Sequence, residues 1–219
     1  MNRFERLSEE RRGLVAQLRA EGIRDPRVLA AIERVPREAF IAPEQADDAY
    51  ANGPLPIGER QTISQPYVVA LMTESLALSG GERVLEVGTG SGYHAAVLAE
   101  LSAWVVSVER LGALHEHARR VLHALGYRNI ELHIANGTLG WPHGAPYDRI
   151  LVAAAAPDVP SALTDQLAVG GRLVIPVGDT KSQRLLLVVR TPDRLVRSDL
   201  GAVRFVPLIG RDGWADDPA

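Results

Sequence analysis

Apolar positions in this chain recur first with helical spacing and then in alternating strand and helix bursts. Near the N-terminus, Leu14, Val15 and Leu18 form a stripe after a cap at Ser8 with Glu9 and Glu10 in the first turn, and Gly22 stops it. Asp25-Pro26 starts a second helix with Val28, Leu29, Ile32 and Val35 on its apolar face, ended by Pro36. Residues 51–66 read as loop and short strand, and residues 67–78 as a helix with Val68, Leu71, Met72, Ser75 and Leu76 along one face. Short apolar runs at 84–87, 104–108, 130–134, 149–155 and 172–176 then predict strands, separated by helices at 93–100, 111–125 and from Ser161 to Leu167. Two further β segments, 184–189 and 202–208, are expected to pair antiparallel, and residues after Gly210 to form a polar tail. Regular alternation of strand and helix predicts an α/β fold: a mostly parallel sheet with helices on both faces and an N-terminal helical extension. One domain is expected over 1–219, with an extension and substrate loop at 1–80, a core at 81–210 and a tail at 211–219.

The chemistry concentrates at one strand–turn–helix. Glu86 precedes Gly88-Thr89-Gly90-Ser91-Gly92, and a helix follows. Glycines there allow a sharp turn and close approach of a ligand to the main chain. The spacing departs from the dinucleotide fingerprint, because Tyr93 holds the position of its third glycine. A carboxylate beside the turn would repel a pyrophosphate but suit an ammonium group. Glu-x-Gly-x-Gly-x-Gly resembles the first motif of S-adenosylmethionine methyltransferases, although a bare structural turn stays open on this stretch alone. Glu109, at the end of the next strand, is about 20 positions beyond the glycines, where a carboxylate can accept from ribose hydroxyls. A surface glutamate at a helix start is the alternative.

Composition narrows the classes. The chain has 219 residues, 46% hydrophobic, a formal charge of −3 and no cysteine. That excludes a disulfide framework, a zinc-thiolate site and a catalytic thiol, and gives no sign of a nucleic-acid partner. No segment approaches about 20 uninterrupted apolar residues. A cytoplasmic monomer without nucleic-acid or membrane partners is expected. The six histidines fit no metal pattern, and His115 and His117 sit two apart on a helix, facing different sides.

A resemblance then draws these features together. Val-Pro-Arg-Glu-Ala-Phe (35–40), Pro-Leu-Pro-Ile-Gly (54–58), Gln-Thr-Ile-Ser-Gln-Pro (61–66), Glu-Val-Gly-Thr-Gly-Ser-Gly-Tyr (86–93), Ala-Pro-Tyr-Asp (145–148), the Gln-Leu…Gly-Gly-Arg-Leu-Val-Ile-Pro-Val-Gly stretch (166–178) and Arg-Phe-Val-Pro-Leu (204–208) resemble the protein-L-isoaspartate O-methyltransferase family, in one order across about residues 10 to 210. The Gln-Thr-Ile-Ser block is the most specific. The resemblance implies a Rossmann-like seven-stranded methyltransferase sheet and transfer of methyl from S-adenosyl-L-methionine to the free carboxylate of isoaspartyl residues in damaged proteins and peptides. The ester then cyclises to a succinimide, and S-adenosyl-L-homocysteine is the other product; no metal is implied.

The resemblance places Ser64 beside the substrate carboxylate with Thr62 nearby, and Gln61, Ile63 and Arg110 among the cofactor-binding residues. It gives Glu86, Gly88, Thr89, Gly90, Ser91 and Gly92 to the methionine end, Glu109 to the ribose, and Asn136 with Gly137 to the adenine. Ala135-Asn136-Gly137 stands where the family usually has Gly-Asp-Gly, and Ala153 where it often has threonine. A related carboxyl methyltransferase for a dedicated peptide and a non-catalytic cofactor-binding protein are the alternatives.

Overall fold

A computed structural model describes residues 3–215. Two helices open it, α1 (Arg3–Ala20) and α2 (Pro26–Arg34). The first begins five residues before the expected cap at Ser8, which lies inside it. The second starts as its sequence dictates: Asp25 caps it by accepting from the Arg27 N–H at 2.8 Å, with Pro26 in the first turn. A small antiparallel hairpin follows, β1 (Leu55–Gly58) and β2 (Gln61–Ile63), and then α3 (Pro66–Leu76).

The rest alternates as β3 (Arg83–Val87), α4 (Tyr93–Ala99), β4 (Trp104–Glu109), α5 (Gly112–Ala124), β5 (Ile130–Ile134), β6 (Tyr147–Val152), α6 (Ser161–Asp165), β7 (Leu167–Gly178), β8 (Gln183–Arg190) and β9 (Leu195–Val203). Seven strands form one sheet in the order β5-β4-β3-β6-β7-β8-β9. The first five neighbours are parallel, and β7-β8-β9 is an antiparallel meander. Strand order reverses between β3 and its two neighbours, which opens a crevice at the carboxyl ends of β3, β4 and β6.

Period-two alternation sends successive residues of each buried strand to opposite faces. Val84, Val105, Leu151 and Val174 pack with Met72 and Leu76 of α3 and Leu98 of α4. Leu85, Val106, Ile150 and Leu173 pack on the other face with Leu163 of α6. A third cluster joins α1 and α2 to Val69, Ala70 and the buried face of α4.

Three expectations need correction. The buried face of α3 is Val69, Ala70, Met72, Thr73 and Leu76, while Val68, Leu71 and Ser75 are half-buried. The last strand spans Leu195–Val203 rather than 202–208. It is a polar edge strand, and even Leu195 and Val196 remain 39% and 38% exposed. Residues after Gly210 do not form a free tail as far as 215. Trp214 donates from Nε1 to the Ala155 carbonyl at 3.0 Å, and the Gly210 N–H reaches the Trp214 carbonyl at 3.0 Å. Residues 216–219 of the expected tail lie outside the described residues.

Candidate active site

The crevice at the switch point is an open cleft with about 810 Å³ of space free of protein atoms, open solvent included. The turn after β3 forms its floor. Gly88, Gly90 and Gly92 all have positive φ, at 92°, 53° and 91°, a region costly for residues with a Cβ. The Gly88 and Thr89 N–H groups both donate to the Val108 carbonyl, at 2.9 and 3.3 Å, which ties the turn to the end of β4.

Glu109 spans this turn and the next. Its Oε2 accepts from Gly90 N–H at 2.9 Å and its Oε1 from Leu111 N–H at 3.0 Å. Each carboxylate oxygen can still accept a further bond. A side chain so fixed at the cleft wall can receive two adjacent hydroxyls.

Glu86 lies beneath the turn, fully buried, and does not itself border the cleft. Its Oε2 accepts from Ser107 Oγ at 2.5 Å, and Ser107 in turn bonds Thr89 Oγ1. Oε1 has no partner. Burial, opposed by the Ser107 bond and aided by the charge of Glu109, pushes the Glu86 carboxyl up to about 8. An orphaned carboxylate oxygen under a glycine turn fits a ligand that brings a cation there.

The hairpin and the start of α3 form the opposite wall, with Gln61, Thr62, Ile63, Ser64 and Val69 at the cleft. Thr62 and Ser64 also border a second groove, lined by Pro54, Tyr67, Leu71 and residues 200–206, so the two cavities meet at these hydroxyls. The Ser64 hydroxyl is half-buried and engages no other group among the described residues. Tyr93, the first residue of α4, completes this wall. Its ring packs edge-on against Phe40 at 5.6 Å, and the buried Arg37 guanidinium lies 5.1 Å from its centre. Arg37 and Phe40 of the 35–40 block therefore brace the cleft from behind.

The expected residues divide as follows. Gln61, Thr62, Ile63, Ser64, Gly88, Thr89, Gly90, Ser91, Glu109, Arg110 and Gly137 all border the cleft. Glu86, Gly92 and Asn136 do not. Gly92 faces α5, where a Cβ would lie 3.1 Å from that of Ala118. Asn136 Oδ1 accepts from Thr138 N–H at 3.1 Å and Thr138 Oγ1 at 2.8 Å, so it caps the following turn. Gly137 is at the wall because nothing larger fits: a Cβ would approach Val87 Cγ1 to 2.5 Å.

Sequence reasoning gave no role to residues 206–209, which line the cleft beside Gly137. They are held against the segment that follows β6 by Ala155 N–H to the Val206 carbonyl and Leu208 N–H to the Ala155 carbonyl, both at 2.8 Å. The apolar pattern predicts a strand over 202–208, whereas the last strand ends at Val203 and the residues beyond it border the cleft. His94, 7% exposed at the cleft, also had no role. Among the described residues no group of three or more histidine, aspartate or glutamate side chains is arranged to hold a metal ion.

Known proteins similar to this chain cover most of its length. The sequence profile described as Protein-L-isoaspartate(D-aspartate) O-methyltransferase (PCMT) matches residues 9–213. Protein-L-isoaspartate O-methyltransferase 1 of Rhodopseudomonas palustris is 54% identical over 95% of this chain and 86% of its own. The protein-L-isoaspartate O-methyltransferase of Syntrophus aciditrophicus is 50% identical over 98% of this chain and 99% of its own. Among solved structures, a protein-L-isoaspartate O-methyltransferase superposes with a TM-score of 0.83 at 32% identity, covering 93% of this chain and 67% of that one. A Plasmodium falciparum homologue in complex with S-adenosyl-L-homocysteine superposes with a TM-score of 0.80 at 26% identity, over 91% of this chain and 98% of that one.

Proposed function

The chain belongs to the protein-L-isoaspartate O-methyltransferase family, and on that premise we propose a division of labour among the residues of its cleft. The protein is an S-adenosyl-L-methionine-dependent carboxyl methyltransferase acting on isoaspartyl residues. S-adenosyl-L-methionine supplies a sulfonium-activated methyl group, which a carboxylate oxygen takes as the electrons of the carbon–sulfur bond return to sulfur.

Such a reaction asks little proton chemistry of the protein, because the carboxylate is already nucleophilic near neutral pH. Positioning is what the residues must provide. The observation that carries the assignment is the free Ser64 hydroxyl at the junction of the two cavities. Ser64 donates to one oxygen of the substrate carboxylate and leaves the other aimed into the cleft, with Thr62 beside it. Nothing about Ser64 suggests an acyl nucleophile, since no Gly-x-Ser-x-Gly elbow surrounds it.

On the cofactor side, Glu109 accepts from the ribose hydroxyls. Gly88, Thr89, Gly90 and Ser91 present main chain to the methionine end, with the Glu86 carboxyl beneath. Gly137 and Leu208 flank the adenine, and Gln61, Ile63 and Arg110 close the rim. Gly92 and Asn136 act one step removed, by shaping the turns that carry these groups. The groove along residues 200–206 takes the peptide on either side of the isoaspartyl residue.

We further infer a cytoplasmic monomer acting without nucleic acid or membrane, with residues 1–80 and 81–210 forming one functional unit. No described helix is long and apolar enough to cross a membrane. The Arg34–Glu100 ion pair between α2 and the end of α4 supports the joint unit. Methyl transfer to an isoaspartyl peptide, beside its aspartyl counterpart, tests the substrate assignment: only the first should be esterified. Equal esterification of both would remove it.

A further inference from the structure

His94 stands in the first turn of α4, two residues beyond Gly92, and borders the cleft with Ile63 and Val69. Its hydrogen bonding fixes which nitrogen carries the proton. Thr73 Oγ1 donates its single proton to the Val69 carbonyl at 2.8 Å. The same oxygen lies 2.9 Å from His94 Nε2 and therefore can only accept there. Nε2 is thus the protonated nitrogen, and Nδ1 is left as a bare acceptor with no protein partner among the described residues. Burial holds the imidazole neutral, with its pKa pushed down to about 3.

A bare acceptor at this place selects among the groups a ligand can bring. On the functional reading above, on which this inference rests, the ribose hydroxyls belong to Glu109 and the adenine to the wall at Gly137 and Leu208. At the methionine end of the cofactor the carboxylate has nothing to donate, and the α-ammonium is the donor that remains. We propose that His94 Nδ1 accepts a hydrogen bond from the α-ammonium group of the cofactor, with Thr73 and Val69 as the relay that holds the ring in the required tautomer. The ammonium carries three donors, so Glu86 beneath the turn and His94 beside it do not compete. Thr73 is a positioning residue in this scheme and touches no ligand.

Two substitutions separate the nitrogens. His94→Gln keeps a donor for Thr73 near the place of Nε2 and loses the acceptor. His94→Asn keeps an acceptor near the place of Nδ1 and loses the bond to Thr73. Calorimetric titration with S-adenosyl-L-homocysteine and with its analogue lacking the α-amino group reads the difference. His94→Gln should bind S-adenosyl-L-homocysteine about tenfold or more weakly, as expected for losing a bond to a charged group, and the deaminated analogue as well as wild type does. His94→Asn should stay within about threefold of wild type for both ligands, the expected cost of imperfect geometry at a retained bond. Nitrogen NMR of the wild-type protein free of ligand adds a readout that needs no variant: Nδ1 should resonate as the unprotonated ring nitrogen. Equal losses for both ligands in His94→Gln, unchanged affinity for both, or a protonated Nδ1 would each overturn the proposal. Wild-type protein that fails to bind S-adenosyl-L-homocysteine at all would instead overturn the cofactor reading beneath it.

Discussion

Glu109 Oε2 accepts a hydrogen bond from the Gly90 N–H at 2.9 Å, so the carboxylate assigned to the ribose also holds the glycine turn in shape. The second oxygen does the same for the turn into α5 through Leu111. Removing the side chain must therefore cost in two ways. Glu109→Ala should weaken cofactor binding by about 2–5 kcal/mol. It should also lower the stability of the ligand-free protein by about 1–3 kcal/mol, because two half-buried N–H groups lose their acceptor. Calorimetry and denaturant unfolding measure the two losses separately; a loss of affinity with unchanged stability would show that the turn does not depend on Glu109.

Glu86 makes the stability of the ligand-free protein depend on pH. Its folded pKa of about 8 lies above the ordinary 4.5. The protonated form is the one that suits the fold. The contribution is complete below about pH 4.5, falls as pH rises, and is gone once pH passes about 8. Over that window one proton corresponds to a slope of about 1.4 kcal/mol per pH unit. Glu86→Gln mimics the neutral form, so the variant should gain on wild type steadily as unfolding is measured from pH 5 to pH 8. Parallel curves for the two proteins would place the titration elsewhere.

Asn136 is a cap, and its substitutions should read as a cap. Asn136→Ala should cost about 1 kcal/mol of stability. Asn136→Asp keeps an oxygen for the Thr138 N–H and hydroxyl, so cofactor affinity should stay within about twofold of wild type. Asn136-Gly137 is prone to deamidation, and the wild-type sample must first be checked by mass spectrometry. A rise in affinity of about fivefold on introducing aspartate, the worth of one charge-assisted bond, would mean that residue 136 reaches the adenine after all.

Gly137 is required by the Val87 side chain. A Cβ at 137 would lie 2.5 Å from Val87 Cγ1, so Gly137→Ala should destabilise by about 1–3 kcal/mol through overpacking. Val87→Ala in the same chain removes the obstructing methyl groups and should recover most of that loss beyond its own cavity cost. Additive losses in thermal unfolding of the double variant would contradict this pairing.

The sequence foretold what local patterning controls. Asp25-Pro26 starts α2 as capping chemistry requires, and the buried parallel strands emerge from runs such as Val84-Leu85-Glu86-Val87. The glycine turn and Glu109 were legible because their spacing reflects one short strand–turn–helix. Patterning misled where an apolar run has another reason to be apolar. Val206, Pro207, Leu208 and Ile209 line the cleft, whereas the edge strand β9 carries Arg197, Ser198 and Asp199 facing solvent. The apolar run predicts a strand over 172–176 only, yet β7 starts at Leu167 and runs through Gly170 and Gly171. The roles of Asn136 and His94 depend on Thr138 and Thr73, partners that spacing along the chain does not identify.

The most direct test of the account is the steady-state rate of base-labile methyl transfer to an isoaspartyl peptide by wild type and Ser64→Ala. Loss of one hydrogen bond to the substrate carboxylate corresponds to about 1.5–3 kcal/mol, so kcat/KM should fall by about 10- to 150-fold. Affinity for S-adenosyl-L-methionine should change by less than about twofold, because Ser64 is assigned to the substrate side alone. An unchanged kcat/KM, or a fall matched by an equal loss of cofactor affinity, would contradict the claim that the Ser64 hydroxyl orients the carboxylate at the junction of the two cavities.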